Sequence, residues 1–209
     1  MKKNTKQAIL MVSLDLFSTS GYEGVSIRDI AKAVGIKEGS IYKHFVSKKE
    51  IFDSIVEEMK IRVKDAEKEY YPAYDSMPLI AEEYSKKPFP EMKEICTSLF
   101  LYFLKDNYAS KFRRMLMIEQ FNNSYVKNIL HEYYIDGAIS YGTNLFTEMI
   151  KIGFLKDVNP KVVAINFYAP IFLLMNRYDN DPEHEEEALH LLEMHIEQFE
   201  LQYVIQKYN

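Results

Sequence analysis

The chain has 209 residues and a formal net charge of −5, and 47% of its residues are hydrophobic. This content is typical of a globular protein with a substantial core. The longest apolar stretch, residues 164–175, is interrupted by polar Asn166 and by Pro170 and is too short to span a bilayer, so no membrane partner is expected. The single cysteine, Cys96, excludes an internal disulfide framework. Asp15 interrupts the N-terminal apolar run that a signal peptide would need, so we expect a cytoplasmic protein.

Charge is distributed unevenly along the chain. Residues 1–50 contain nine Lys or Arg and five Asp or Glu, a net charge of +4, so the remainder carries −9. A basic N-terminal part attached to an acidic remainder is the pattern expected of a DNA-binding module joined to a domain that does not bind DNA.

The N-terminal part is predicted to contain three helices. The first covers residues 4–20, and its apolar positions lie on one helical face. That face contains Ile9, Val12, Leu16 and Phe17. We expect it to complete a small core behind the two shorter helices that follow.

Residues 26–45 predict a helix-turn-helix. The apolar positions of the first short helix follow the i, i+3, i+4, i+7 spacing of one face: Ile27, Ile30, Ala31 and Val34. Ser26 and Asp29 have the spacing of a capping box, and Gly35 ends this helix. A second short helix over 37–45 places Ile41 and Phe45 four residues apart on its buried side. Two short helices joined by a glycine-containing turn form this motif.

The outward face of the second short helix has the composition of a DNA-reading surface. It consists of Gly39, Ser40, Tyr42 and Lys43. Small residues allow the backbone to approach the duplex, while hydroxyl and amino groups reach phosphates and base edges. The alternative from periodicity alone is an ordinary three-helix core with a solvated outer face.

The motifs of this region resemble one family closely. The pattern Gly-Tyr-x-Gly-x-Ser-Ile-x-x-Ile-Ala-x-x-x-Gly at 21–35 is followed by Gly-Ser-Ile-Tyr-x-His-Phe at 39–45 and by Ser-Lys-x-x-Ile at 47–51. Together they resemble the DNA-binding domain of the TetR family of repressors, over about a quarter of the chain. The resemblance implies binding to double-stranded DNA at a two-fold operator. The predicted DNA-binding residues are Ser26, Arg28, Lys37, Gly39, Ser40, Tyr42, Lys43, His44 and Lys48.

One position departs from the family pattern. The family usually has Ser, Thr or a similar capping residue where this chain has Lys37. A lysine side chain cannot accept the backbone N–H bonds that a cap accepts, so the start of the second short helix is predicted to lack a side-chain cap. We interpret the neighbouring Glu38 as a first-turn acidic residue favoured by the helix dipole.

The remainder is predicted to be helical throughout, which makes the fold all-α. Ser47 to Glu50 forms a capping-box pattern at the start of a long helix that connects the two parts of the chain. Residues 70–90 are predicted to be a loop carrying one short helix. Further helices are predicted over 90–105, 110–121, 124–152, about 160–178 and 182–207. We expect a DNA-binding domain at 1–47 and an effector-binding and dimerisation domain at 48–209.

A homodimer is predicted from the last two helices. The last helix has apolar residues at alternating spacings of three and four, which resembles a coiled-coil seam, and the helix before it carries a matching set. The predicted dimer residues are Phe167, Ile171, Leu174, Leu189, Leu192, Ile196, Phe199 and Tyr203. A two-fold DNA site also calls for two copies of the helix-turn-helix. The alternative is that these residues are buried within one subunit.

An unknown small-molecule effector is expected to bind among the helices of 90–152, which are rich in Met, Phe and Tyr. Such side chains can line an adaptable pocket. The predicted ligand-binding residues are Phe100, Phe103, Met115, Glu119, Phe121, Tyr141, Asn144 and Phe167. Burial in an ordinary core remains the alternative for each of them.

Catalytic and metal-binding interpretations find little support. Glu187 and His190 have the spacing of one half of a di-iron carboxylate motif, but the second half is missing. His184, His190 and His195 are not spaced as an i, i+4 zinc pair. We therefore expect no cofactor, no metal and no enzymatic activity. The predicted function is a DNA-binding transcriptional repressor released by an effector, and the alternative is an architectural or division-linked DNA-binding protein without one.

Overall fold

The fold was obtained as a computed structural model that describes residues 5–70 and 76–205, with the side chains of 66–70 left out. Within these ranges the regular structure is helical, and one isolated antiparallel bridge pairs Leu155 with Val204. The prediction of an all-α fold is confirmed. Among the described helices, none is both long enough and apolar enough to cross a membrane.

The helices of the described ranges are, in chain order, α1 (Thr5–Ser20), α2 (Ile27–Val34), α3 (Glu38–Ile41), α4 (Lys48–Tyr70), α5 (Met77–Lys86), α6 (Phe89–Lys105), α7 (Ala109–Glu119), α8 (Ser124–Leu130), α9 (Asp136–Lys151), α10 (Pro160–Arg177) and α11 (Glu185–Tyr203). A π-helical turn covers His131–Ile135, and a 3₁₀ turn covers Pro182–His184. The helix predicted within 70–90 is α5. The end predicted near Lys207 lies outside the described residues.

The chain divides into two compact units. The first comprises residues 1–66 and 106–130, and the second comprises 67–105 and 131–209. The first unit therefore contains α7 and α8 in addition to the helix-turn-helix. The functional division at residues 47 and 48 concerns which residues bind DNA, and it stays a prediction.

The predicted signals at both ends of α2 are present. The Ser26 hydroxyl accepts the Asp29 N–H at 3.2 Å, and the Asp29 carboxylate accepts the Ser26 N–H at 2.9 Å. This reciprocal pair satisfies two donors that the first helical turn leaves free. At the other end Gly35 has φ of 79°, the left-handed conformation in which glycine commonly ends a helix.

The second short helix is shorter than predicted. It covers Glu38–Ile41, and residues 42–44 continue as turns. Lys37 provides no side-chain hydrogen bond at its start. The anchors are nevertheless where the spacing placed them, because Ile41 is fully buried and Phe45 is 1% exposed. The apolar contacts, rather than helix length, therefore hold this segment.

The long helix predicted over 124–152 is interrupted by the π-helical turn His131–Ile135. Gly137 permits this turn, because a Cβ at this position would lie 1.9 Å from the Glu132 carbonyl oxygen. The Tyr168 hydroxyl donates to the Tyr134 carbonyl at 2.8 Å. A carbonyl inside the π-helical turn is thus hydrogen-bonded by a side chain of α10.

Two apolar clusters form the core of the second unit. One brings α5, α9, α10 and the end of α11 together around residues such as Phe146, Val163 and Phe199. The other brings α6, α10 and α11 together around Phe100 and Leu192. The Lys156 N–H donates to the Tyr203 carbonyl at 2.9 Å and the Ile205 N–H to the Phe154 carbonyl at 2.9 Å, which ties the end of α11 to the loop after α9.

These clusters correct the predicted dimer seam. Five of its residues are buried inside the second unit: Leu174, Leu192, Ile196, Phe199 and Tyr203. Three more are partly buried and pack against the same clusters: Phe167, Ile171 and Leu189. Burial within one subunit, which was the alternative interpretation, is what the structure shows. The apolar clusters of the second unit cover this face of α11.

A different face of α10 and α11 remains exposed. On α10 it contains Val162, Ile165 and Leu173, and on α11 it contains Leu191, Met194 and Leu201, with Ile205 just beyond the helix. The three α11 positions recur at spacings of three and seven, which keeps them on one side of the helix. We call this set the exposed stripe.

The burial of Leu192 leads to a stability prediction. Leu192 is 0% exposed, so Leu192→Ala should lower the free energy of unfolding by about 2–5 kcal/mol through lost burial and the cavity left behind. Leu79 on α5 is 48% exposed, and Leu79→Ala should change it by less than about 0.5 kcal/mol. Urea unfolding followed by circular dichroism measures both. A Leu192→Ala protein that is as stable as the wild type would return this residue to a surface role.

Candidate nucleic-acid interface

The helix-turn-helix rests on deeply buried apolar residues of α1, α2, the α3 segment and α4. Residues 37–45 contain α3 and the turns after it, and we call them the α3 segment. The most deeply buried of the apolar residues are Ile9, Leu14, Phe17, Ile30, Ile41, Phe45, Ile51 and Phe52. Tyr22 bridges two of these aromatic rings, with ring centroids 5.4 Å from Phe17 and 5.2 Å from Phe52. Edge-to-face packing of this kind fixes ring orientation as well as burying area. This packing therefore determines which side of the α3 segment faces outward.

The outward side of the α3 segment carries the predicted DNA-reading groups. Gly39, Lys43 and His44 are exposed, Tyr42 is 51% exposed and Ser40 is half-buried. A Cβ built on Gly39 would meet nothing within 4 Å, so the surface here is open. The face has the shape and chemistry needed to approach a duplex, and its contact with DNA stays a prediction.

Basic side chains flank this face. Arg28 and Lys37, two of the predicted DNA-binding residues, are exposed, and their contact with DNA stays a prediction. The Lys6 ammonium lies 5.3 Å from the ring centroid of Phe45, which brings the start of α1 close to the end of the α3 segment.

Ser26 acts first as a helix cap. Besides accepting the Asp29 N–H, its hydroxyl donates to the Asp29 carboxylate at 2.6 Å. This hydrogen bond, followed by the one from the Ser26 backbone N–H, lowers the pKa of Asp29 below its ordinary value. A contact between Ser26 and DNA would have to share a hydroxyl that already makes these bonds.

Lys48, another predicted DNA-binding residue, has its ammonium engaged within the protein. It donates to the carbonyls of Tyr22 at 2.8 Å and Val25 at 3.1 Å, and it lies 4.2 Å from the ring centroid of Tyr22. The Glu23 carboxylate is 3.8 Å away. Lys48 therefore holds the turn between α1 and α2 against the start of α4, and its contact with DNA stays a prediction.

The start of α4 has half of the predicted capping box. The Glu50 N–H donates to the Ser47 hydroxyl at 3.1 Å, but the Glu50 carboxylate accepts from the Val46 N–H at 2.5 Å instead of from Ser47. The Glu50 carboxylate therefore bonds the backbone of the residue before Ser47 instead of Ser47 itself. The N-terminus of α4 is still capped by a side chain.

The predicted ligand-binding residues are distributed over both units. Met115, Glu119 and Phe121 belong to the first unit, where Met115 and Glu119 are buried and Phe121 is 87% exposed. The other five belong to the second unit: Phe100, Phe103, Tyr141, Asn144 and Phe167. There Phe167 packs on Phe146 and Phe199 as part of the core. Tyr141 and Asn144 are exposed rather than turned inward.

A surface depression of about 430 Å³ lies at the corner between α7 and α8. It is lined by Gln120, Phe121, Asn122, Ser124 and Lys127. Phe121 is the residue that this depression shares with the predicted ligand set. Its lining combines one apolar ring with amide, hydroxyl and ammonium groups.

The region that forms the helix-turn-helix matches a known family model. Residues 9–55 match the model described as bacterial regulatory proteins, tetR family. This range contains α2, α3, the start of α4 and nearly all the residues discussed above as DNA contacts.

Curated relatives share mainly this region. The HTH-type transcriptional regulator AcrR of Shigella flexneri is 30% identical over 115 residues, which is 55% of this chain and 47% of AcrR. The biofilm operon icaADBC HTH-type negative transcriptional regulator IcaR of Staphylococcus aureus (strain Newman) is 47% identical over 51 residues, 24% of this chain and 27% of IcaR. The chain thus matches half or less of the length of these relatives.

The fold extends further than the sequence similarity. A solved structure described as a SmeT–triclosan complex superimposes with a TM-score of 0.64, covering 98% of this chain and 93% of the other at 17% identity. At this identity the likeness concerns the fold, which the two proteins share over nearly their whole lengths.

The different surroundings of two lysines give a prediction. Lys43→Met removes an exposed charge and should weaken duplex binding while leaving stability within about 0.5 kcal/mol of the wild type. Lys48→Met removes a cation hydrogen-bonded to two carbonyls and should also lower the free energy of unfolding by about 1–3 kcal/mol. Chemical unfolding and fluorescence anisotropy with a labelled duplex measure the two effects. Equal stability of both variants would show that the two hydrogen bonds of Lys48 do not stabilise the fold.

Proposed function

We propose that this chain is a sequence-specific transcriptional repressor of the tetR family of bacterial regulatory proteins, whose model matches its residues 9–55. The repressor acts as a homodimer on a two-fold operator in double-stranded DNA and is released by a small-molecule effector. The curated relatives are named as transcriptional regulators, and IcaR as a negative one. We propose no catalytic activity and a cytoplasmic location, where the DNA is accessible.

The observation that carries the proposal is the outward face of the α3 segment. Buried Ile41 and Phe45 anchor one side of the segment, which leaves Gly39, Tyr42 and Lys43 exposed on the other. The segment forms part of a helix-turn-helix, whose second helix inserts into the major groove. Small, hydroxyl-bearing and cationic side chains are those that contact phosphates and base edges there.

Release by an effector rests on the helices outside the helix-turn-helix. Residues 92–149 are rich in Met, Phe and Tyr, and Phe100, Phe103 and Phe167 bring aromatic rings into the second unit. SmeT, which shares the fold, has been crystallised with triclosan, an example of this architecture holding a small molecule. An effector releases DNA only if it binds the DNA-free conformation more tightly, and a coupling of about 1–3 kcal/mol is typical.

The exposed stripe is the surface we assign to the homodimer. Leu173 is 66% exposed and Leu201 is 63% exposed, which is unusual for large aliphatic side chains on two neighbouring helices. Two copies of α10 and α11 packed through these positions would form a four-helix interface with two-fold symmetry. A two-fold operator bound by a dimer has its half-sites about 34 Å apart, one helical turn of DNA.

The DNA-binding proposal is tested by selection from a random-sequence duplex library. The wild-type protein should enrich a two-fold symmetric site, and its affinity for that site should fall steeply with salt. A protein with about 6–10 phosphate contacts loses about 10³–10⁵-fold in affinity between roughly 50 and 200 mM salt, because bound counterions are released.

Two controls accompany this selection. The variant Tyr42→Ala/Lys43→Ala should enrich no site, since it removes the exposed hydroxyl and ammonium of the reading face. A small-molecule library screened for release of the selected duplex then separates an effector-responsive repressor from an architectural DNA-binding protein. Salt-independent affinity or the absence of any enriched site would contradict the proposal.

The dimer assignment is tested by charge on the exposed stripe. Leu173→Glu/Leu201→Glu should give a folded monomer, because unpaired charges buried in an interface cost several kcal/mol. Phe121 is 87% exposed outside the stripe, so Phe121→Glu is the matched control and should remain dimeric. Sedimentation equilibrium distinguishes the two states. A dimer that survives the double substitution would place the interface elsewhere.

A further inference from the structure

The turn between α1 and α2 places polar backbone groups outside both helices. It contains Gly21 to Val25 and leads directly into Ser26, the N-cap of α2. On one side the Lys48 ammonium accounts for the carbonyls of Tyr22 and Val25. The position of this turn sets the direction in which α2, and with it the α3 segment, leaves α1.

On the other side the turn is met by a side chain from α7. Glu119, the last residue of α7, is 3% exposed, and its Oε1 accepts the backbone N–H of Glu23 at 3.2 Å. Near the start of α7, Lys111 forms an ion pair with Asp15 of α1. The contacts of α7 with the DNA-binding domain therefore run along α1 and end on the turn before α2.

Gly21 makes the close approach of Glu119 possible. It has φ of +75°, and a Cβ on this residue would lie 2.2 Å from the Glu119 Oε1 and 3.2 Å from the Ile118 side chain. The glycine is thus needed for two reasons, its left-handed conformation and the carboxyl group that occupies the space of a side chain.

The other oxygen of the same carboxyl group is an exception to the rule that buried polar groups are paired. Glu119 Oε2 is buried and has no hydrogen-bond partner within the described part of the chain. A buried acceptor without a partner disfavours the folded state, so stability alone gives no reason for a glutamate here. The hydrogen bond from the Glu23 N–H to Oε1, which holds the turn in place, does give a reason for a glutamate here.

We propose that Glu119 is a positioning residue for DNA binding: its carboxyl group holds the turn between α1 and α2 and thereby fixes the orientation of the helix-turn-helix against α7. This assignment replaces the predicted role of Glu119 as a ligand contact, and it rests on the proposed DNA-binding function. Operator affinity and stability are therefore expected to respond differently to the substitution of Glu119. Losing the Glu119 contact should cost operator affinity without a matching cost in stability.

Two substitutions at residue 119 test the role of the acceptor. Glu119→Leu keeps the approximate volume and removes both oxygens, so affinity for the selected duplex should fall about tenfold while the unfolding midpoint stays equal or rises. Glu119→Gln removes the acidic group but retains an amide oxygen that can accept the Glu23 N–H, and it should keep affinity within about threefold. Equal losses in both variants would identify a general electrostatic effect and overturn the proposal.

A double-mutant cycle tests the contact itself. Gly21→Ala should weaken duplex binding strongly in the wild type and less in a Glu119→Ala background, because the clash with Oε1 is gone. Gly35 is the matched control, since it has φ of +79° and a Cβ there would meet nothing within 4 Å. The effect of Gly35→Ala should be the same in both backgrounds. Independent effects of Gly21→Ala and Glu119→Ala would overturn the proposal.

Amide hydrogen exchange of the wild-type protein tests the proposal even if a variant fails to fold. In the wild-type protein the Glu23 amide should be protected, and an unprotected amide would overturn the proposal without any substitution. A wild-type protein that binds no duplex would overturn the proposed function and this inference together. Wild-type binding with unchanged affinity in Glu119→Leu would overturn this inference alone.

Discussion

The burial of Ile41 and Phe45 is the interaction on which the proposed DNA-binding surface depends. The α3 segment has a single turn of α-helix and no side-chain cap at Lys37, so it has little intrinsic stability. Its orientation comes from two apolar anchors four residues apart and from the aromatic contacts of Tyr22 behind them. Because the anchors are fixed, the residues between and beside them have a defined outward direction.

Polar contacts add a second layer of control. Lys48 and Glu119 approach the same turn with opposite hydrogen-bonding capacity, one donating to carbonyls and the other accepting an N–H. These contacts come from segments 26 and 96 residues away from their partners in the chain. The position of the helix-turn-helix is therefore determined by residues outside the motif as well as by those inside it.

Local patterns predicted the fold better than they predicted the sites. Ser26, Asp29 and Gly35 act through bonds to residues only a few positions away, and the structure has them at the two ends of α2 as predicted. Lys48 could not be understood in this way, because its partners belong to a distant turn. The role of Glu119 could not be predicted for the same reason. A glutamate at the end of an amphipathic helix is equally suited to contact a ligand or a backbone group until the segment packed against it is known.

The dimer prediction shows a different limit of periodicity. Leu192 and Ile196 lie on one face of α11, and Leu191 and Met194 lie on another, so both faces have the spacing of a seam. The pattern of three and four predicts that a face is buried but not which neighbour covers it. Here α6 and α10 of the same unit cover the face that contains Leu192.

The π-helical turn at His131–Ile135 has a consequence for comparing this chain with its relatives. Such a turn accommodates one residue more than an α-helical turn, so positions after it are shifted by about 100° around the axis from where an uninterrupted α-helical numbering places them. An alignment that passes through this segment without a gap would equate the outward Tyr141 and Asn144 with inward positions of a regular helix. The inward face of α9 is therefore defined by its own buried residues, Leu145, Phe146 and Met149, and not by aligned positions of a regular helix.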